Sequence, residues 1–576
     1  MIGDKKKFKQ LMTDVYELKA TGAMLITELG HGSDTKNMKT VATYDLASDS
    51  FIINTPDRDA TKVWSGNLAQ QATHGIVFAQ LYVDGVCRGL NQFLVQLRSR
   101  ADHKPLPGVV IGDMGPKAGL DGLDNGWCAF DKFKVPRTAL LSRREKIDNE
   151  GRYVVDSSYA PSESSNGAST ESSGKHLGAL SVGRIGIIGH SMAHISAVVT
   201  IAIRFNSVRP VVEQLHADPN IQVYMDLPHV RAKLLPYLAA TYVTRIFQRT
   251  LLDHFSGFMG TAFGVEYEDA GLLGAEIHVL SCVGKAVVSW TAAAAQREAI
   301  DTCGAWSVLN ASRLTTLRDD FDPNVTYEGD NNVLLQQASN FLLKLLVEKI
   351  TNNEVIKSPL NLTAFFNQYD EILTNDSTFK ADVDEFDDLI RLYRFIACHL
   401  MFSSKFKFDE AMERTNCIFT AKSETQVYYM RTLAIVLFEL QAICRFKDFL
   451  FEQVTDESVK PVLQQLGHLY ALWSLEKHLS ILNQANYTGF NEKFNIDRIQ
   501  TKICSLCDGL AINAIALVDA IAPPDFILNS VLGHSDGRAF ERLKDMMKPK
   551  EQSSSRIGEF TDLATAINAN YQMSKL

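Results

Sequence analysis

The chain has 576 residues, of which 46% are hydrophobic and 22% charged, and its formal net charge is -9 at pH 7. A chain of this length is too long for one hydrophobic core, so we expect several domains. The acidic balance argues against nucleic-acid binding, which needs a basic surface to contact phosphates. The basic cluster Lys5–Lys9 is interpreted as a solvated helix face.

No uninterrupted apolar run reaches the ~18 residues of a membrane-spanning helix, so the sequence predicts no membrane span. The N-terminal residues lack the apolar core of a secretory signal. The chain has 9 cysteines, and their odd number is typical of a reducing compartment. Cys504 and Cys507 form a CxxC pair inside an apolar helical pattern with no second pair nearby, which disfavours a redox or metal role.

A short helical stretch at residues 1–20 precedes a predicted β domain at residues 21–145. The apolar segments of this domain, such as SFIIN, GIVFAQLYV and GVVIGDMG, are short and are separated by Asp, Gly, Asn and Pro turns. This alternation of short apolar runs and turns predicts β-strands.

Two loops of the predicted β domain combine polar groups with glycine. The segment ITELGHGSDTKNM carries Thr27 and Ser33, and the segment KVWSGNLAQQ carries Trp64 and Gly66. Glycine lets a flat ligand approach the backbone, and a neighbouring aromatic ring can form a wall beside it. Ordinary turns have the same composition, so both interpretations stay open.

The remainder of the chain is predicted to be mainly helical. Residues 146–180 form a linker with a Ser/Gly-rich insertion, and residues 181–350 form a first helical domain. A second linker at residues 351–385 leads to a second helical domain at residues 386–570. The fold class is therefore α+β, with a small β domain followed by two helical domains.

The first helical domain carries two pairs of residues that could bind a ligand. His190 and His194 have metal-ligand spacing, but no third ligand accompanies them, which disfavours a zinc site. Arg204 and Arg209 lie at a helix end, where such a pair can clamp a phosphate, although surface arginines are common at helix ends.

Glu328 stands out in the segment DPNVTYEGDNNVLLQQ. It lies between Tyr327 and Gly329, just ahead of an apolar helical pattern that Asp330 and the residues after it are suited to cap. The cap does not account for Glu328, because this carboxylate comes too early in the chain to serve it.

The chain ends in Ser574, Lys575 and Leu576. This tripeptide at a free C-terminus is an address that the peroxisomal import receptor reads. It predicts a peroxisomal location, which agrees with the cysteine pattern.

Long ordered motifs resemble the acyl-CoA oxidases, the peroxisomal branch of the acyl-CoA dehydrogenase superfamily. They include TELGHGSD, HKPLPGVVIGDMGPKAGLDGLDNGW, LRDDFDPNVTYEGDNNVLLQQ and DAIAPPDFILNS, and they extend from Thr21 to about Gly537. DPNVTYEGDNN and ALWSLEKH are most similar to the branched-chain, or pristanoyl-CoA, oxidases. The resemblance implies a small β-barrel domain followed by two α-helical bundle domains.

The resemblance also implies the activity. FAD and molecular oxygen would convert an acyl-CoA, with a 2-methyl-branched or very long chain as candidates, to trans-2-enoyl-CoA and hydrogen peroxide. By position, Glu328 is similar to the family's catalytic base, which removes the α proton of the thioester. A dry, apolar pocket around this carboxylate would raise its basicity.

The other site residues carry over from the resemblance in the same way. Thr27 is similar to the threonine that bonds the flavin, and Gly66 to the glycine whose backbone contacts it. Ser33 lies where relatives meet the acyl thioester. Arg209 is similar to the arginine that steadies the flavin pyrophosphate of the partner subunit, which implies a homodimer or a heterodimer with a related oxidase.

The sequence departs from the family pattern in three places, one of which is RPVVEQ after Val208, where relatives often have Arg-Arg-Gln-Phe-Gly. Only a short helical stretch precedes TELGHG, where relatives carry an N-terminal helical domain. The segment Cys303–Val308 reads CGAWSV where relatives have Cys-Gly-Gly-His-Gly-Tyr, and side chains in place of glycines would crowd a cofactor. A second hypothesis therefore stays open: a truncated, weakly active or non-catalytic paralogue that binds acyl-CoA or pairs with an active subunit.

Overall fold

The computed structural model describes residues 5–141, 145–155, 181–211, 222–260, 269–352 and 354–547, with side chains from residue 9 onward. The predicted Ser/Gly-rich insertion lies largely in residues 156–180, outside the described residues. The targeting tripeptide at residues 574–576 also lies outside them.

Short strands make up the N-terminal part of the chain, after helix α1 (Lys5–Tyr16). The strands described there are β1 (Gly22–Leu25), β2 (Val41–Asp45), β3 (Ser50–Asn54), β4 (Lys62–Gly66), β5 (His74–Val83), β6 (Val86–Gln96), β7 (Val109–Asp113), β8 (Asn125–Phe130), β9 (Phe133–Pro136), β10 (Glu145–Ile147) and β11 (Tyr153–Val155). The predicted β character of this region is confirmed.

Strand β5 organises the largest sheet. The order of that sheet is β1-β5-β2-β3-β9, and β6 pairs with β5 in antiparallel register, for example Val77 opposite Phe93. A second sheet has the order β4-β8-β7, and β10 pairs with β11. Alternate side chains of β5 are buried, as the period of a strand with one face on a core requires. These strands enclose a hydrophobic core of their own, which includes Phe51, Phe93 and Phe130.

Helices dominate the rest of the chain. They are α2 (Val182–Asn206), α3 (Pro228–Gly260), α4 (Ala270–Cys303), α5 (Leu314–Phe321), α6 (Asn331–Asn352), α7 (Tyr369–Asn375), α8 (Phe386–Thr415), α9 (Ile418–Thr425), α10 (Arg431–Asp448), α11 (Lys460–Glu476), α12 (Leu479–Gln484), α13 (Ile496–Ala511), α14 (Ala514–Asp519), α15 (Asp525–Leu528) and α16 (Ala539–Met546). The α+β fold class is confirmed.

The helices on both sides of residues 351–385 share one hydrophobic core. This core runs from Ile185 on α2 to Leu543 on α16 without a break into separate clusters. The described residues between 354 and 385 include α7 and short 3-10 turns rather than an extended connection. The division into two helical domains at residues 351–385 stays a prediction.

Three helical segments are long and apolar enough to cross a membrane, judged by length and composition: Val182–Asn206, Ala270–Val308 and Ile418–Gln453. Their most apolar windows are 72%, 83% and 61% buried inside the protein. A helix that lies in a protein core is apolar on most of its surface, which accounts for this composition. The absence of a membrane span stays a prediction.

A loop of the β domain packs against helix α5. The backbone N–H of Leu120 donates a hydrogen bond to Asp320 Oδ1 at 2.8 Å. A Cβ built on Gly119 would lie 2.3 Å from the backbone carbon of Asp319, so only glycine fits this approach. The β domain is thereby fixed to the helix that leads into the Glu328 segment.

Candidate active site

Glu328 lies in a tight turn between α5 and α6. Its φ is 56° and that of Gly329 is 104°, so two consecutive residues are left-handed, a conformation that disfavours a residue with a side chain. Arg184 Nε donates to the Glu328 carbonyl at 3.4 Å. Asp330 Oδ1 accepts from the backbone N–H of Asn332 at 2.9 Å, which confirms the predicted cap of α6.

The Glu328 carboxylate lies against the first turn of α2. A Cβ built on Gly183 would stand 2.4 Å from Glu328 Oε2, so the close approach needs glycine there. The Glu328 side chain is exposed. The sequence predicts a dry pocket around this carboxylate, and the described residues do not form one, because the turn lies at the surface of α2.

Asn324 holds the aromatic ring next to Glu328. Asn324 is fully buried, and its Oδ1 accepts from the Tyr327 hydroxyl at 2.9 Å and lies 3.0 Å from His190 Nδ1. Its Nδ2 donates to the Phe321 carbonyl at 2.7 Å. These contacts connect the segment to α2 and fix the position of Tyr327.

The histidine pair on α2 serves packing and hydrogen bonding. His194 is buried and stacks on Phe321 with 4.1 Å between ring centroids. Burial lowers the pKa of His194 to about 3. No group of three or more His, Cys, Asp or Glu able to hold a metal ion occurs among the described residues.

A buried ion pair supports the loop that carries Thr27. Glu28 and Lys62 have fully buried side chains 3.1 Å apart, and Lys62 Nζ also donates to the Ile26 carbonyl at 3.0 Å. Glu28 Oε1 accepts from the backbone N–H of Thr40 at 2.8 Å. The Thr27 carbonyl accepts from the backbone N–H of Val63 at 3.0 Å. These contacts join the segment that follows β1 to the first residues of β4, at Thr27 and at the residue on each side of it.

Strand β4 ends in an open surface at Gly66. No heavy atom of the described residues lies within 4 Å of a Cβ built on Gly66. Trp64 is 55% exposed, with a φ of 65°, and the buried Ser65 Oγ has no hydrogen-bond partner in the part of the chain that the structure describes. An accessible glycine backbone, an unpaired hydroxyl and an exposed aromatic ring are suited to a flat heteroaromatic ligand.

Ser33 lies in the exposed loop after Thr27. Its carbonyl accepts a hydrogen bond from the backbone N–H of Thr35 at 3.0 Å. Asp34 Oδ2 accepts from Asn37 Nδ2 at 2.6 Å in the same loop. The loop thus has local order, and it leaves Ser33 available to a ligand.

Arg209 lies beside the segment that departs from the family pattern. Its NH1 donates to the Thr302 carbonyl at 3.1 Å, and its guanidinium stacks 3.7 Å from the Tyr224 ring centroid. A Cβ built on Gly304 would lie 3.5 Å from the same NH1. Val308, in the same segment, is 73% exposed. Arg209 and the segment Cys303–Val308 are thus neighbours.

Arg204 does not pair with Arg209 in a phosphate clamp. It is buried, and it donates to Asp519 Oδ1 at 2.7 Å, to Asp525 Oδ1 at 3.2 Å and to the Gly533 carbonyl at 2.7 Å. These acceptors occupy the guanidinium and tie α2 to the C-terminal helices. The clamp interpretation is therefore wrong for Arg204.

Sequence reasoning missed the buried polar residues around the site. Glu28, Lys62 and Lys285 are charged residues with buried side chains, and such residues are rarely buried without a partner. The interruption of an apolar pattern by a single charge, in CVGKAVVSW, is the signal that points to Lys285.

Three family models match consecutive parts of the chain. They are the acyl-CoA dehydrogenase middle domain at residues 23–133, the acyl-CoA oxidase C-alpha1 domain at residues 177–343 and acyl-CoA oxidase at residues 385–567. The human protein named peroxisomal acyl-coenzyme A oxidase 3 is 38% identical over 92% of this chain and 74% of its own length. The Caenorhabditis elegans acyl-coenzyme A oxidase acox-3 is 35% identical, with 99% and 82% covered.

Solved structures show the same fold. Acyl-CoA oxidase 1 of Arabidopsis thaliana has a TM-score of 0.83 and 28% identity over 95% of this chain and 79% of its own. The chain belongs to the acyl-CoA oxidase family. The rat protein named peroxisomal acyl-coenzyme A oxidase 1 is 27% identical over 94% of this chain and 79% of its own length. The higher identity to oxidase 3 agrees with the resemblance to the branched-chain oxidases.

Proposed function

We propose that this protein is an FAD-dependent acyl-CoA oxidase of peroxisomal β-oxidation, which converts acyl-CoA and oxygen to trans-2-enoyl-CoA and hydrogen peroxide. FAD, when bound, would supply the acceptor for the hydride of the β carbon and the redox chemistry by which oxygen is reduced. Two acyl-CoA oxidase models and the acyl-CoA dehydrogenase middle-domain model match consecutive parts of the chain, and these matches support this activity. The same similarity disfavours the alternative of a non-catalytic paralogue.

Glu328 is the proposed catalytic base. A carboxylate oxygen takes the α proton of the thioester, and the Glu328 carboxyl group releases this proton before the next turnover. The β hydride and this proton together account for the two hydrogens of hydrogen peroxide. The observation that carries this assignment is the constrained left-handed turn, which directs the carboxylate against Gly183 at the start of α2. A base must be held in one place relative to the bond that it breaks, and a turn fixed by its neighbours provides this.

Thr27 and Gly66 are the proposed contacts of the β domain to FAD. The residues there fit a flavin, because Gly66 has open space above its backbone and the buried Ser65 Oγ lacks a partner among the described residues. The buried Glu28–Lys62 pair keeps the loop of Thr27 next to strand β4. The chain would thus present a hydroxyl and an open backbone to one planar group.

Arg209 is the proposed contact to the pyrophosphate of a flavin that the partner subunit holds. Its stacking on Tyr224 and its bond to Thr302 hold the guanidinium beside Gly304. This role requires a homodimer or a heterodimer with a related oxidase. The residues between Cys303 and Val308, which lie beside Arg209, would then change the shape of the site around the flavin pyrophosphate.

Ser33 is proposed to lie near the acyl thioester, on the exposed loop that follows Thr27. The greater similarity to oxidase 3 than to oxidase 1 supports a 2-methyl-branched acyl-CoA as substrate. The names of these relatives agree with a peroxisomal location. Ser574, Lys575 and Leu576 are the proposed contact to the import receptor.

Replacement of the proposed base tests the function. In Glu328→Gln the side chain keeps its shape but cannot take a proton, so we expect peroxide formation to fall by about 10²–10⁴-fold while FAD stays bound. Turnover is measured as hydrogen peroxide released from straight and 2-methyl acyl-CoA substrates in air, and bound FAD by its visible absorption.

Glu348→Gln is the matched control, because Glu348 lies on α6 and pairs with Lys344 at the surface. Its activity should equal that of the wild type. Turnover of Glu328→Gln within a factor of three of wild type would remove Glu328 from the reaction. FAD-loaded wild type that releases no peroxide from any acyl-CoA would overturn the oxidase function itself.

A further inference from the structure

A buried ammonium group lies beneath the turn that carries Glu328. Lys285 is in the middle of α4, and its side chain is fully buried. Its Nζ donates to the Gly329 carbonyl at 2.8 Å and to Asn331 Oδ1 at 2.9 Å. Both acceptors belong to the turn or to the first residue of α6.

The same helix also holds the end of the turn. Asn331 is buried, and its Nδ2 donates to Ser289 Oγ at 2.9 Å and to the Ala286 carbonyl at 3.3 Å. One face of α4 therefore supplies both the ammonium and the acceptors for Asn331. On the other side of the turn, a Cβ built on Gly329 would lie 2.8 Å from a methyl carbon of Leu334. The turn is confined from two directions.

Burial of Lys285 disfavours the charged, protonated form of its side chain. Burial lowers the pKa of Lys285 to about 8, and nearby Arg184 acts in the same direction. Three neighbouring groups raise this pKa: the carboxylates of Asp330 and Glu328 and the side chain of Cys282. A lysine buried without a carboxylate in direct contact costs folding free energy, so its contacts to the turn need a reason other than stability.

We propose that Lys285 is a positioning residue for Glu328. It holds the left-handed backbone of Glu328 and Gly329, so that the carboxylate is presented in a single direction. This inference rests on the proposed role of Glu328 as the base. Because Lys285 bonds to a carbonyl and an amide oxygen rather than to the Glu328 carboxylate, it acts through the backbone and does not touch the substrate.

The test is Lys285→Met, which keeps most of the unbranched apolar chain and removes the ammonium donors. A base displaced by about 1 Å loses rate in the proton-removal step, so we expect kcat to fall by about 10–100-fold. KM and FAD content should stay within twofold of wild type. The kinetic isotope effect with substrate deuterated at the α carbon should rise, because proton removal limits the rate more strongly. A merely structural role would not change this isotope effect.

Lys344→Met is the matched control, since Lys344 is an exposed lysine on α6. Its kcat and isotope effect should equal those of wild type. Lys285→Gln keeps an amide NH2 donor without the charge, and we expect an intermediate loss of kcat. Wild-type kcat and isotope effect in both Lys285 variants would overturn the inference. Failure of both variants to fold would also overturn it, because Lys285 would then be needed for the fold.

The outcome is separable from that of the proposed function. If Glu328→Gln is inactive and the Lys285 variants match wild type, the positioning role fails and the base remains. If Glu328→Gln retains turnover, the base assignment fails, and with it the positioning role of Lys285.

Discussion

At the scale of single residues, the site depends on charges that are buried with defined partners. Burial tends to raise the pKa of Glu28, but hydrogen bonds from the Lys39 backbone and from Thr40, together with the Lys62 charge, hold this pKa below its usual value. Burial lowers the pKa of Lys62 to about 8, against the raising effect of Glu28. The two groups therefore stabilise each other's charged form only while both remain in place.

Replacement of Lys62 should destabilise the loop of Thr27. Lys62→Met leaves the buried Glu28 carboxylate without its cation, which costs about 3 kcal/mol of unfolding free energy at pH 7. From pH 8 to 10.5 the unfolded wild type binds a proton that the folded protein has released. Its unfolding free energy therefore gains up to about 1.4 kcal/mol per pH unit from this group, and the variant lacks the gain.

Denaturant unfolding between pH 7 and 10 measures this difference. Lys104→Met serves as the control, because Lys104 is an exposed lysine of the same domain. It should leave both the stability and its pH dependence unchanged. A constant gap between wild type and Lys62→Met over this pH range would contradict the lowered pKa of Lys62.

At the scale of structural elements, a loop of the β domain is matched to helix α5. Gly119→Ala would place a methyl group against the backbone of Asp319, at 2.3 Å from its carbonyl carbon, so the loop or the helix must move. Overpacking of this kind costs about 1–3 kcal/mol. Because α5 leads into the Glu328 turn, we expect a lower melting temperature together with slower peroxide formation.

Gly122→Ala is the control for this contact. It lies in the same loop, and no heavy atom is within 4 Å of a Cβ built on it. The control should change the stability by less than about 0.5 kcal/mol. Equal melting temperatures and rates for the two variants would mean that the contact between loop and helix does not affect the site.

Helix α6 and Arg204 illustrate which features of an element a local sequence pattern can predict. The cap at Asp330 is as predicted, and the predicted apolar helical pattern forms α6, because capping and helical periodicity are local properties. The residues of this pattern that α6 buries include Leu334, Leu335, Ala338 and Leu342. Arg204 was misread, because its partners Asp519 and Asp525 are more than 300 residues away in the chain. No local pattern around Arg204 contains that information.

At the scale of the whole molecule, the helices on both sides of residues 351–385 share one core, while the strands have another. A cavity in the helical core should therefore weaken helices from both segments together. Leu437→Ala, on α10, removes a fully buried side chain and should cost about 2–5 kcal/mol.

Hydrogen–deuterium exchange is the measurement for this prediction. We expect faster exchange in α2–α4 as well as in α8–α11, with less change in the strands. Ile512→Ala is the control, because Ile512 is 86% exposed and its loss leaves no cavity. Faster exchange confined to α8–α11 would indicate that the two helical segments unfold separately.

The sequence by itself determined the family, the order of strands and helices, and the candidate base, because motifs, turn residues and apolar periodicity are local in the chain. It did not determine that Glu328 is exposed, or that Lys62 and Lys285 lie beneath the segments of the site. Those features arise only when distant segments pack together. The free energy of a buried charge depends on which partners reach it in three dimensions, and the tertiary structure alone decides that.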